Sequence, residues 1–158
     1  MSFFMTSSCS TTNLNNHSIV TIFEYAGSKV MIPGDNQAES WKELIKDNRF
    51  LAAARNLDVL LAPHHGRKAG YCPELFEAIG KVNITIISDG PEGETSATSL
   101  YGNQSKGWSV HYPDHTSKKR DCVTTRKDGA VHVKVYTKDG TNYLIVNVQK
   151  GTAVGAGN

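Results

Sequence analysis

Residues 57–66 read Leu57-Asp58-Val59-Leu60-Leu61-Ala62-Pro63-His64-His65-Gly66. The apolar run has no polar alternation, which is the pattern of a strand covered on both faces. It stops at a proline and gives way at once to two histidines and a glycine. Upstream, Ile32-Pro33-Gly34-Asp35-Asn36 repeats the arrangement: an apolar strand, a proline, then concentrated polar chemistry. In layered α/β folds sites collect where strands end and loops begin, because a rigid sheet holds the side chains there. An Asp and a His from neighbouring strand ends offer carboxylate oxygen and imidazole nitrogen, both ligands for first-row metals. A carboxylate can also bridge two ions, the arrangement that clamps the attacking and leaving oxygens in phosphate-ester hydrolysis. Taken singly each motif has a plainer reading. Gly-Asp after a strand makes a turn or an N-cap, and paired histidines can be ordinary loop residues. Two such motifs after two proline-terminated strands favour a site.

Working outward, residues 18–25 (SIVTIFEY) are β-branched and aromatic and predict a strand. Ala26-Gly27-Ser28 turns it into a second strand over 29–32, so the two make a hairpin. Ala38, Trp41, Leu44 and Ile45 form one helical stripe, with a break near Asp47-Asn48 and a resumption over 49–55. Pro73 opens a short helix that runs to Ile79, and 82–88 (VNITIIS) is the next strand. Residues 89–106 are rich in Gly, Ser, Thr and Asn and predict a long irregular loop, functional or mobile rather than mere linkage. From Trp108 the pattern is all β: 123–126 meets a hairpin signal at Asp128-Gly129, 130–137 (AVHVKVYT) alternates, and Asp139-Gly140 turns the chain into 143–148. The expected order is β-β-α-β-α-β followed by a β-meander, a mixed α/β sheet with helices on one face.

The whole chain has 158 residues, 39% of them hydrophobic and 20% charged, which suits one core and argues against wholesale disorder. Seventeen basic and 15 acidic residues leave a formal charge of +2, so no net field draws the protein to nucleic acid or membrane. Three scattered cysteines, at 9, 72 and 122, are too few for a disulfide framework and suit a reducing, cytoplasmic setting. No apolar run reaches the roughly 18–20 residues of a membrane span, and the opening MSFFMTSSCS lacks the basic n-region and apolar h-region of a signal peptide. The expected organisation is a flexible arm over 1–14, a folded domain over 15–148 and a flexible tail over 149–158.

Asn15-Asn16-His17-Ser18-Ile19-Val20, the hairpin, Ile32-Pro33-Gly34-Asp35, the helix and residues 57–66 together resemble the C-terminal half of a metallo-β-lactamase-fold hydrolase. The nearest branch is the hydrolase domain of competence-type DNA-uptake proteins, the ComEC-like branch. The strand over 84–88 and the turn Thr125-Arg126-Lys127-Asp128-Gly129 share the likeness, which spans roughly residues 15–148. It implies half of an αββα sandwich. It also implies one or two divalent ions, zinc or manganese, a bridging role for Asp35 and a terminal metal ligand from His-His-Gly. His64 is the first choice because it lies nearer the strand end, with His65 touching the ligands or substrate; spacing leaves the two exchangeable. Asn15 and Asn16 fall where other branches place a further metal-binding His, with His17 a candidate beside them, which makes Asn16 and His17 candidate substrate contacts; the asparagines read equally as a turn entering the strand. The implied reaction is phosphodiester hydrolysis, nuclease-like, with Asp35 and His64 catalytic and a water made acidic by the cation as nucleophile.

The departure from that pattern is as informative. The family's His-x-His-x-Asp-His motif, which supplies most ligands, is absent from the sequence. Asp35 and one His fall short of the three protein ligands plus water of a catalytic zinc. The expectation is therefore an incomplete site, completed by an upstream-encoded half-domain or a second copy, or left by truncation of a longer chain. A catalytically incomplete subunit with a structural or interaction role is the alternative. Arg67 and Lys68 could hold a substrate phosphate or be solvated loop cations. Lys118-Lys119-Arg120 predicts a solvated turn or a nucleic-acid backbone contact, without aromatic interleaving to make a stacking platform. Arg126-Lys127 in the expected hairpin turn has the same two readings. Cys72 reads as a buried thiol rather than a ligand, 111–115 as a polar loop, and His132 as a solvent-facing strand residue.

Overall fold

Alternation along the short strand Val59–Leu61 sorts the molecule into layers. Val59 enters one apolar cluster and Leu60 a second on the opposite face. The computed structural model describes residues 1–9, 12–90 and 97–150. Within them a six-stranded sheet is built from β1 (Ser2–Phe4), β2 (Val20–Tyr25), β3 (Ser28–Ile32), β4 (Val59–Leu61), β5 (Ile84–Ile87) and β8 (Cys122–Thr124), side by side in that order. The pairs β1–β2 and β2–β3 are antiparallel, and β3–β4, β4–β5 and β5–β8 are parallel. Each parallel step returns through a helical connection, as parallel strands require. These connections hold α1 (Ala38–Leu44), α2 (Asn48–Ala54), α3 (Pro73–Ile79) and α4 (Thr98–Asn103).

The helices cover one face of this sheet. Trp41, Phe50, Leu75, Phe76 and Tyr101 pack there on Val20, Met31, Leu60 and Ile87. Helices of seven residues are marginal alone, so this burial holds them in place. Asp47 caps α2 by accepting the backbone N–H of Arg49 (2.8 Å), which explains the break after α1. On the other face Val59, Ile84, Ile86 and Val123 meet Val110, Val146 and Val148 of a second sheet. That sheet holds β6 (Trp108–His111), β7 (Ser117–Arg120), β9 (Val131–Lys138) and β10 (Thr141–Val148), in the order β7-β6-β10-β9. The fold is α/β in three layers: helices, six strands, four strands. Its outermost face exposes His111, Lys119, His132 and Lys134.

Several expectations change. The segment expected as a free arm contributes β1, and Phe4 packs edge-on against Phe50 at 5.4 Å. The loop expected over 89–106 contains α4; its residues 91–96 lie outside the described part. The hairpin expected at Asp128-Gly129 is a one-turn helix, α5 (Thr125–Asp128), and the strands beside it belong to different sheets. Buried Asp128 explains this, because its carboxylate accepts the Thr124 N–H (2.8 Å) and the Arg120 guanidinium (3.1 Å) instead of facing solvent in a turn. The C-terminal part is accordingly no simple meander, since β6 and β10 pair in parallel. Lys118-Lys119-Arg120, expected as a turn, lies in strand β7. Of the expected tail, the Gln149 and Lys150 N–H groups donate to Ala130 and Asp128 carbonyls, and 151–158 lie outside the described residues.

Candidate functional site

The two strand ends meet. The His64 N–H donates to the Gly34 carbonyl at 3.1 Å, tying the turn after β4 to the turn after β3. Gly34 sits at φ +62°, and a Cβ there would stand 2.9 Å from the Ser18 Cβ. Only glycine meets both demands. The Asp35 N–H then donates to Ser18 Oγ (3.1 Å), while the buried Asn36 amide spans the Ser18 and Pro33 carbonyls (2.9 and 2.7 Å). This lattice fixes the backbone and leaves the Asp35 carboxylate half-exposed.

Past Pro63 the chain takes three left-handed residues in succession: His64 at φ 50°, His65 at φ 55° and Gly66 at φ 70°. For the two histidines this conformation costs roughly 1–2 kcal/mol each, and such strain clusters at functional sites. Its effect is to send the rings apart. His64 Nδ1 lies 3.1 Å from the Gln37 side-chain nitrogen. An amide NH2 can only donate, so Nδ1 accepts, and a neutral His64 carries its proton on Nε2. His65 has the opposite arrangement. Its Nδ1 faces the Ser88 carbonyl at 2.8 Å, so in the neutral ring the proton sits on Nδ1 and Nε2 keeps its lone pair. That lone pair points toward Asp35, with Nε2 3.8 Å from Oδ1.

A neutral imidazole nitrogen and a carboxylate oxygen facing each other at 3.8 Å are two acceptors without a donor between them. A proton on His65 or a cation satisfies both. The distance is spanned by two metal–ligand bonds of about 2.0–2.2 Å, and the Nδ1–H to carbonyl bond is the buttress that orients metal-binding histidines. The pair lies in a cleft of about 180 Å³ lined also by Ile32, Gly34, Leu61, Ala62 and Ser88. Among the described residues, no three His, Cys, Asp or Glu side chains gather to hold a metal. Asp35 and His65 thus fit one side of a metal site and not a complete one.

The remaining expected residues do not line this cleft. Asn16 is buried and accepts the Gln37 N–H (3.2 Å) while donating to Glu39 (2.9 Å), which anchors the start of α1. His17 Nδ1 faces the Thr6 carbonyl at 3.2 Å. Arg67 and Lys68 are exposed beyond the turn and do not line the cleft. Cys72 is buried; its thiol donates to Glu74 (3.2 Å) and is pushed up to about 11 by burial and that carboxylate. Gln37 and Ser88, which decide the tautomers of the two histidines, were not singled out from the sequence. Ser88 ends a third strand, so its position was the available signal; Gln37 gave none.

No family model, curated protein or solved structure matches the chain. No helix among the described residues is long and apolar enough to cross a membrane.

Proposed function

We propose that the chain supplies the Asp35–His65 side of a metal-dependent hydrolase site acting on phosphodiesters, with the remaining ligands coming from another polypeptide or a second copy. The observation that carries this reading is the pair of facing acceptors at 3.8 Å, held by strained backbone in a cleft. When bound, zinc or manganese would supply Lewis acidity and an acidified water. The chain's own part is to present the Asp35 carboxylate, to hold the His65 ring with Nε2 unprotonated, and to wall the cleft with Ile32 and Leu61. His64, engaged by Gln37, supports the turn from behind.

The resemblance to half of an αββα sandwich enters here as part of the proposal. Lysines and histidines on the outer face of the second sheet would be costly to bury under a further helical layer. A completing piece has a better seat at the uncovered end of the first sheet. There Phe3, Thr21 and Ile32 form a row across β1, β2 and β3, with Phe3 62% and Ile32 41% exposed. Ile32 belongs to that row and to the cleft wall, so a partner seated there would reach the Asp35 carboxylate. The same row favours the second reading, a non-catalytic interaction subunit, if the partner brings no ligands.

The test is calorimetric titration with Zn²⁺ and Mn²⁺, together with hydrolysis of bis(p-nitrophenyl) phosphate, by the chain alone and with any half-domain encoded just upstream. Weak cation binding by the chain alone is expected, lost in Asp35→Ala and His65→Ala and retained in His64→Ala. Hydrolysis is expected only after completion. Absence of cation binding in both preparations, or full binding by His65→Ala, defeats the hydrolase reading.

A further inference from the structure

The outer face of the second sheet is a separate surface with its own chemistry. Alternation along β9 and β10 turns Val133, Leu144 and Val146 inward, so the residues between them point out. Cross-strand pairing then sets Tyr136 beside Tyr143 and Lys134 beside Ile145 on β9 and β10, and Lys119 beside Ser109 on β6 and β7. Lys138 follows at the end of the same face. The two tyrosine rings stack at 5.0 Å between centroids with 15° between their planes. No Asp or Glu occupies an outward position on these four strands; Asp114, Asp121 and Asp139 lie in the connections at their ends. Among the described residues Lys119, Lys134 and Lys138 form no ion pair, whereas Lys29, Lys42, Lys46, Arg49, Arg120 and Arg126 each have a carboxylate partner. The acid-free character of this face is therefore local, in a chain that is nearly neutral overall.

Two clefts open beside this face and meet at Trp108. One, about 340 Å³, is lined by Trp108, Lys118 and Lys119; the other, about 420 Å³, by Trp108, Asn142, Tyr143 and Asp58, the last from the connection leading into β4. The stacked tyrosines beside unpaired lysines, on four strands whose outward positions carry no carboxylate, combine the two elements that bind single strands: π-faces for bases and cations for the backbone. A carboxylate-bearing protein surface would gain the charge contacts without using the rings. A duplex would use the lysines and hide its base faces.

We infer that the outer face of the four-stranded sheet binds single-stranded nucleic acid. Lys119, Lys134 and Lys138 contact phosphates, and the exposed Tyr143, stacked on Tyr136, offers its ring to a base. This binding does not depend on the Asp35–His65 reading, and either can fail alone.

Fluorescence anisotropy of the full chain with labelled oligo-thymidine and oligo-uridine of about 12 nucleotides tests it. Both are expected to bind, because neither feature reads the 2′-hydroxyl, and a duplex of the same length should bind more weakly. Lys134→Glu with Lys138→Glu should weaken binding by at least about tenfold and lower the slope against log salt by about 1.4, two phosphates at about 0.7 each. Tyr143→Ala should weaken it about tenfold, and Tyr143→Phe should restore it. Lys42→Glu with Lys46→Glu, an equal charge change on the helical layer, should alter affinity less than about twofold. Circular dichroism confirms that each variant is folded. Failure to bind either oligonucleotide at low salt, equal binding of duplex, or equal weakening by the helical pair overturns the inference.

Discussion

His64 and His65 are adjacent in sequence and both left-handed, yet their Nδ1 atoms meet different partners, the Gln37 amide and the Ser88 carbonyl. Paired histidines after a strand announce a site, but their order does not tell which ring faces the neighbouring strand end. The rings' partners, a donor on Gln37 and an acceptor on Ser88, come from distant parts of the chain that periodicity does not reveal. Gly66 is tightly constrained: at φ +70°, a Cβ would stand 2.7 Å from Ile87 Cγ2. Gly66→Ala is expected to cost about 2–5 kcal/mol, combining left-handed strain with overpacking; urea denaturation would measure it. The cysteines offer a second check at this scale. Burial pushes the Cys72 thiol up to about 11 and the Cys122 thiol up to about 12, from an ordinary 9.0. Above pH 9 the unfolded chain ionises these thiols while the folded chain keeps them protonated. Stability therefore falls as pH rises from about 9 toward 11–12. Ellman's reagent at pH 8 should label them slowly in the native protein and fully in denaturant.

Among the elements, those governed by local rules were legible. The β2–β3 hairpin, the helix opened by Pro73 and the break between α1 and α2 all lie where turn chemistry and apolar spacing put them. The stretch around Asp128 was misread because Asp-Gly carries the same signal in a hairpin as at the end of a helical turn. What decides between them is a long-range fact, the Arg120 guanidinium waiting beside a buried carboxylate. Asp128→Ala should leave Arg120 and the Thr124 N–H without their shared partner and cost about 3 kcal/mol. Asp128→Asn should cost less, because an amide oxygen can still accept the Thr124 N–H. Thermal denaturation of the two variants side by side separates these outcomes.

At the scale of the molecule, the α/β class followed from alternating apolar runs and helical stripes, while the sheet order did not. Nothing local in Cys122–Thr124 says that it joins β5 rather than its sequence neighbours β7 and β9. The seam between the sheets depends on residues such as Ile84, fully buried against the second sheet. Ile84→Ala should destabilise the whole protein by about 2–5 kcal/mol. Both sheets should melt in one transition, seen as coincident loss of far-ultraviolet dichroism and tryptophan fluorescence. The proposed nucleic-acid face was not legible either, since its lysines and tyrosines are distant in the chain and meet only across β6, β7, β9 and β10.

The excursion of β8 into the first sheet also bears on how the chain assembles in time. The hairpins β6–β7 and β9–β10 close short loops and can form within microseconds. Their union is different, because the parallel pairing of Val110 with Val146 encloses the β8 segment, which docks elsewhere on β5. A hairpin that zips early has no partner to dock on until that distant strand has found its place. The second sheet is thus expected to complete late in folding, after its two hairpins have formed separately.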